Sequence, residues 1–173
     1  MKRINLIVLA LCGLAVLPSR LLAAGDPPLR PSAKADKVVV LKSERKLLLM
    51  KGAEVLKTYR ISLGGSPVGP KIRQGDQKTP EGQYVLDRRN AKSQFHKSIH
   101  ISYPNAADLA RAQRLGVSPG GNLFIHGLPN RVRWVAAGHR VRDWTDGCIA
   151  VTNAEMDEIW RAVADGTAIE IKP

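Results

Sequence analysis

Two residues in this chain have the types and surroundings for acyl-transfer chemistry. One is Cys148, at the end of the run Thr145-Asp146-Gly147-Cys148. A nucleophilic thiol needs exposure, a turn that presents it, and hydrogen-bond donors for the oxyanion formed on attack. Gly147 lets the backbone approach a substrate carbonyl, and successive amides around a tight turn can converge on one oxygen. The other is His126, which ends the apolar run Leu123-Phe124-Ile125 and precedes Gly127. A histidine in that place is rigidly held yet accessible, and a Cys–His pair distant in sequence but adjacent in the fold suits a thiol nucleophile and its base. A lone His beside Gly also serves structure, so on these residues alone both readings stand. A zinc hydrolase built on His126, Cys148 and a further His is a rival class, but no H-x-x-H or C-x-x-C spacing occurs.

The elements that would position this pair read as mainly β. Val38 to Leu41 and Leu47 to Met50, separated by polar residues 42–45, predict a hairpin. Val55 to Leu63 predicts a further strand, and Gly64, Gly65, Pro67, Gly69 and Pro70 break regular structure after it. Tyr84 to Leu86, Ile99 to Ile101, Leu123 to Ile125 and Ala168 to Ile171 are later strand candidates. Two helices are expected. Asn105 caps one that Gly116 stops, and Thr152 with Glu155 makes a capping box for another. Met156, Ile159, Trp160 and Val163 share one face of that second helix, and Gly166 is expected to close it. Its N-terminus, starting a few residues after Cys148, would add positive potential near the thiol.

With 173 residues and 44% hydrophobic content the chain holds one well-buried domain. Lys2 and Arg3 precede an apolar stretch from Ile4 to Leu17, followed by Ala23, Ala24 and Gly25. That order predicts a Sec-type signal peptide over residues 1–24, too short in its apolar part to span a bilayer comfortably. Residues 25–35 read as a Pro-rich linker and 36–173 as the domain. The location that follows is the periplasm, without stable membrane insertion after cleavage. Of the two cysteines, Cys12 would leave with the leader, so Cys148 remains without an internal disulfide partner. The formal charge of +12 falls to +9 once Lys2, Arg3 and Arg20 are gone. The basic residues are scattered and aromatics are only 5%, which argues against a nucleic-acid partner. An acidic envelope polymer and a merely solvated basic surface both fit the charge.

Three segments together carry a resemblance. GPKIRQGDQKTPEGQY at residues 69–84, SIHISYPNAADLARAQRLGVSPGGNLFIHG at 98–127 and DWTDGCIAVTNAEMDEIW at 143–160 resemble, in order, the blocks of the L,D-transpeptidase (YkuD-like) catalytic domain. The resemblance covers nearly all of residues 36–173. It implies a mainly β fold, a YkuD-like β-sandwich of mixed sheets with one inserted helix and one late helix. It implies Cys148 as acylated nucleophile and His126 as general base, the latter oriented by a main-chain carbonyl. The amides of Gly147 and Cys148 match the oxyanion hole, and Thr145 and Asp146 belong to that loop. In the family many members have His where Asp146 stands and Arg where Ala150 stands. Those departures bear on the acceptor rather than on the nucleophile.

The implied partner is the peptidoglycan stem peptide, acted on by a monomer with no metal and no cofactor. Cys148 would attack the carbonyl at the L-centre of the third stem residue and release terminal D-Ala. The thioester would pass to an amine of another stem, or to water in a hydrolase (carboxypeptidase, or an amidase releasing a wall-attached protein). A non-catalytic peptidoglycan-binding module is the alternative from another class. Gly127, His100, Tyr103, Arg131 and Arg140 are candidate substrate contacts, with Arg133 beside them. His96 and His139 read as surface residues, Trp144 and Trp160 as core or loop anchors, and residues 78–82 as a turn.

Overall fold

The computed structural model describes residues 27–131 and 138–173. The leader read at residues 1–24 and the candidate Arg133 lie outside the described residues. Eight strands are present: β1 (Lys37–Leu41), β2 (Lys46–Lys51), β3 (Glu54–Arg60), β4 (Gly82–Ser93), β5 (His96–Ile101), β6 (Leu123–His126), β7 (Ile149–Ala150) and β8 (Thr167–Lys172). They form one mixed sheet in the order β3-β2-β1-β8-β4-β5-β6-β7. The pairs β1–β8 and β6–β7 are parallel and the others antiparallel. Alternation sets the inner face: Val38 and Val40 of β1, Leu47 and Leu49 of β2, and Ile169 and Ile171 of β8 are buried.

The expected layers of mixed sheet are thus one sheet curled over on itself. Register shifts interrupt the ladders after Leu49, Leu86 and Asn90, and such bulges bend and twist a strand. Past the end of β3, Ser62 pairs with Ala150 of β7, exchanging hydrogen bonds of 3.0 and 2.9 Å. Gly64 bridges Thr145 in parallel, with Thr145 N donating to Leu63 O (3.1 Å) and Gly65 N donating to Thr145 O (3.0 Å). The two outer strands of the sheet therefore meet, and their junction is where the Cys148 loop emerges.

Helix α1 (Ala106–Arg114) has the expected Asn105 cap and turns out at Gly116, whose φ is +64°. Helix α2 (Asn153–Ala162) starts at a Thr152–Glu155 capping box and packs against β5. Met156, Ile159 and Val163 enter the core as expected. Trp160 instead lies half-buried under the Arg89 guanidinium, 4.9 Å from the ring centre. Arg89 also takes the carbonyls of Trp160 and Val163, so a cation from β4 satisfies the helix end. Gly166 is not the helix stop. Val163 is already extended, and Gly166, at φ +89°, turns the chain into β8. Residues 27–35, read as a linker, lie along the domain, with Leu29 and Ala35 buried in its core.

The segment 64–81, without strand or helix, is held from below by Lys42. Its side chain is only 3% exposed and donates to Gly69 O (2.7 Å), Thr79 O (2.8 Å) and Glu81 Oε1 (2.8 Å). Burial lowers its pKa against the pull of Glu81. Asp76 closes the other half, accepting from Lys71 Nζ (2.7 Å) and the amides of Ile72, Arg73 and Lys78. Burial alone would raise its pKa, but these donors hold the carboxyl down at about 2. Replacing Lys42 with Met strands two carbonyls and a carboxylate, and removing one partner of a buried pair costs several kcal/mol. Lys42→Met is therefore expected to lower the unfolding free energy by roughly 3 kcal/mol in urea titration. A loss within error of zero would show that the segment is fastened elsewhere.

Candidate active site

His126 ends β6 and Cys148 immediately precedes β7. The register pairs His126 with Ala150, and Cys148 stands two residues earlier, so both side chains emerge from one face of the sheet. Both line a cavity of about 530 Å³ together with Phe95, Ser98, Phe124 and Trp144. The imidazole is 4% exposed and sits between Phe95 (ring centres 4.5 Å apart) and Trp144 (5.9 Å).

His126 Nδ1 lies 2.7 Å from Gly127 O. A carbonyl can only accept, so Nδ1 carries the proton and Nε2 is left with a free lone pair. Burial pushes the His126 pKa down to about 4, the Gly127 carbonyl opposing this and His139 adding to it. The ring is therefore neutral near pH 7, the form a general base requires. Burial likewise pushes the Cys148 thiol up; the Phe124 amide opposes this, Asp146 adds to the rise, and Lys71 opposes it. Its nearest acceptor is Asn122 O at 3.9 Å. The resting pair is a neutral thiol and a neutral imidazole lining one cavity.

Thr145 braces the loop that carries Cys148. Its buried hydroxyl donates to Cys148 O (2.7 Å) and accepts from Gly147 N (3.1 Å). The Gly147 amide is therefore taken by Thr145 and is not free for an oxyanion; the amide of Cys148 has no partner among the described residues. Gly147 matters for its shape. At φ +124°, an added Cβ would lie 2.6 Å from Lys78 O, so the run 78–82 forms a wall beneath the loop. The loop is also fixed through Asp143, which accepts from Arg45 Nε (3.0 Å) and Nη2 (2.8 Å) and from Leu63 N (2.9 Å).

Several expected substrate contacts are placed elsewhere. Gly127 is buried, its amide donating to Phe95 O and Lys97 O, and a Cβ there would meet Asn153 Oδ1 at 2.7 Å. Its carbonyl orients the His126 ring. His100 is buried with Nδ1 2.7 Å from Asp87 Oδ1 and its ring against Phe124. Tyr103 is a core residue, donating to Pro119 O and meeting Tyr84 edge-on. Arg140 pairs with Glu155 at 2.7 Å, away from the cavity. Arg131 lines a second cavity of about 530 Å³ that shares Ser93, Gln94 and Phe95 with the first.

His139 is not a surface residue but 1% exposed, accepting from Trp144 Nε1 at 3.5 Å. His96 is half-buried beside Asp157 at 2.8 Å. Ala150 is fully buried, so nothing reaches the groove from the position where many relatives carry Arg. Phe95, Asn122 and Lys71 were missed by sequence reasoning. Phe95 sits in a hairpin turn and Asn122 at a left-handed position (φ +55°), neither of which leaves a pattern in one sequence. Lys71 lies inside a quoted block but shows its proximity to Cys148 only in three dimensions. Among the described residues no group of three His, Cys, Asp or Glu could hold a metal ion.

Comparison with known proteins agrees with this architecture. Among the solved structures, the helical cell shape determining protein Pgp2 (K307A mutant) from Campylobacter jejuni superposes with a TM-score of 0.61. It shares 24% identity and covers 82% of this chain and 48% of its own. An L,D-transpeptidase (residues 123–326) from Xylanimonas cellulosilytica gives 0.53 at 17% identity, covering 84% and 64%. A curated relative from Escherichia coli (strain K12), named "Putative L,D-transpeptidase YafK", is 36% identical over 132 residues, 73% of this chain and 46% of that protein. The chain thus spans about half the length of the curated relatives it matches. The family described as YkuD, the L,D-transpeptidase catalytic domain, matches residues 35–171, and the chain belongs to that family.

Proposed function

We propose that this chain is a peptidoglycan L,D-transpeptidase, exported to the periplasm by the leader at residues 1–24 and acting as a monomer on stem peptides. The observation that carries the reading is the placing of Cys148 and His126 in one cavity, with Nδ1 tied to Gly127 O and Nε2 free. His126 Nε2 takes the thiol proton as Cys148 Sγ attacks the carbonyl at the L-centre of the third stem residue. The unpartnered Cys148 amide donates to the oxygen that gains charge. On collapse the imidazolium protonates the departing D-Ala amine and a thioester remains. An amine of a second stem, deprotonated by the same nitrogen, then expels the thiol and forms a 3→3 cross-link.

A hydrolase on the same thioester, either a carboxypeptidase or an amidase releasing a wall-attached protein, is the second reading. The exposed Asp146 and buried Ala150 favour it, since they leave the acceptor side without the His and Arg that many relatives carry.

Mass spectrometry of products from disaccharide-tetrapeptide separates these readings. Dimers that have lost one D-Ala, absent with Cys148→Ala, are the expected outcome. Tripeptide with free D-Ala and no dimer would replace the transferase with the hydrolase. Turnover retained in Cys148→Ala would sink both.

The neutral resting pair also sets a pH dependence. Iodoacetamide alkylation of Cys148 is expected to stay slow at neutral pH and to rise only above the ordinary thiol range, because burial raises the thiol and lowers His126. A fast plateau extending down toward pH 4 would instead reveal a thiolate–imidazolium pair. Stability follows the same group. The folded His126 pKa of about 4 lies below the unfolded value of 6.5, so the unfolded chain binds the proton first. Stability is therefore full above about pH 6.5 and falls as pH drops toward 4, by roughly 3 kcal/mol from this one group. His126→Gln is expected to flatten that part of the urea-midpoint profile.

A further inference from the structure

Asp146 is the one member of the nucleophile loop that the fold does not use. Thr145 is buried and hydrogen-bonded, Gly147 is clamped against Lys78, and Cys148 lines the groove. Asp146 is exposed, and its carboxylate makes no hydrogen bond or ion pair among the described residues. It stands in a chain with 27 Lys and Arg against 15 Asp and Glu, yet none of the cations among the described residues pairs with it. Lys71 is the nearest candidate on that side, and Asp76 already holds it at 2.7 Å.

Asp146 also sits at a junction. It lines the aromatic-walled cavity that contains His126 and Cys148, and it lines a polar cavity of about 690 Å³ with Lys71, Gln74, Ser118 and Asn122. Asn122 is the other residue shared by both. A carboxylate beside a nucleophilic thiol disfavours the thiolate, and Asp146 adds to the rise that burial imposes on Cys148. The penalty disappears when a cation occupies the carboxylate. An unpaired acid here is a cost to the empty enzyme and a gain to one loaded with a positively charged substrate.

We infer that Asp146, at the mouth of the polar cavity, is a specificity-determining residue that binds a primary ammonium on the side chain of the stem peptide being attacked. The inference rests on Cys148 being the acylated nucleophile. The ammonium is a recognition handle rather than the attacking amine, because a carboxylate stabilises the protonated, non-nucleophilic form. Binding it offsets the local negative charge and raises thiol reactivity when, and only when, the substrate is in place.

Two measurements test this. In single-turnover release of the terminal amino acid, tetrapeptides with a free and an N-acetylated third-residue side-chain amine are compared for wild type and Asp146→Asn. Wild type is expected to prefer the free amine, and the variant to lose on the order of tenfold of that preference, the equivalent of about 1.4 kcal/mol. An unchanged preference in Asp146→Asn overturns the inference, as does a preference confined to the later transfer step. Separately, iodoacetamide labelling of Cys148 is followed with Nα-acetyl-lysine amide as the ammonium probe and its Nε-acetyl form as control. Wild type is expected to label severalfold faster with the probe alone. Asp146→Asn should label faster than wild type without it and not respond to it. No acceleration in wild type, or the same acceleration in the variant, also overturns the inference. If no tetrapeptide is turned over while the labelling response holds, the acyl-transfer reading fails and the ammonium site stands.

Discussion

The hydrogen bond from the His126 ring to Gly127 O decides which nitrogen is left free in the cavity shared with Cys148, and the rest of the site is arranged around it. In enzymes where a carboxylate holds the histidine, the negative charge favours imidazolium. A carbonyl orients the ring without supplying a charge, so burial wins and the imidazole stays neutral with a pKa near 4. The carbonyl is itself fixed. The Gly127 amide is held by Phe95 O and Lys97 O at the β4–β5 hairpin, and the space where a Cβ would stand is filled by Asn153, His96 and Phe95. One glycine therefore couples the base to a hairpin on one side and to the start of α2 on the other.

The curled sheet supplies the second half of the arrangement. A flat eight-stranded sheet would leave β3 and β7 as distant edges, with unpaired amides and carbonyls on each. Here Ser62 and Ala150 close the gap, and Gly64 bridges Thr145. The cysteine loop is thereby sewn to the chain leaving β3, reinforced by Arg45 on Asp143 and by the Lys78 carbonyl against Gly147. Lys42 and Asp76 tie down the irregular segment that forms this wall. Rigid positioning of Cys148 at a strand entrance is what a near-attack geometry would require of the proposed nucleophile.

Much of this was legible in the residues. Short apolar runs marked the strands around Val38, Leu47, Ile99 and Leu123, the Asn105 cap and the Thr152–Glu155 capping box gave both helix starts, and the Thr-x-Gly-Cys and His-Gly strings marked the pair in the cavity. What stayed hidden were facts of topology. Two-residue β7 is too short to have a period, and the twelve-residue β4 runs through charged positions because much of its length is solvent-exposed. His139 next to Arg140 reads as polar surface, yet it is buried against Ser62 and Trp144. The family resemblance implies an oxyanion-hole role for the Gly147 amide, but the fold gives that amide another partner. The competing acceptor, Thr145 Oγ1, lies two residues away, and only the folded turn brings it round.

On the acyl-transfer route proposed above, a single lone pair at Nε2 has a consequence for the fate of the thioester. The same nitrogen accepts a proton from an amine or from water, so the base cannot choose between them. Choice among acceptors must come from groups that bind one transition state better than the other. Around the sulfur, the His126 side is walled by Phe95, Phe124 and Trp144, which offer contact area but few polar distinctions. The opposite side carries Asp146, Asn122, Gln74 and Ser118. Asp146 therefore offers discrimination by charge on that side, and it stands where many relatives carry His. A thiol kept neutral by burial fits that division of labour, since it reacts slowly with adventitious electrophiles until a substrate reorganises its surroundings.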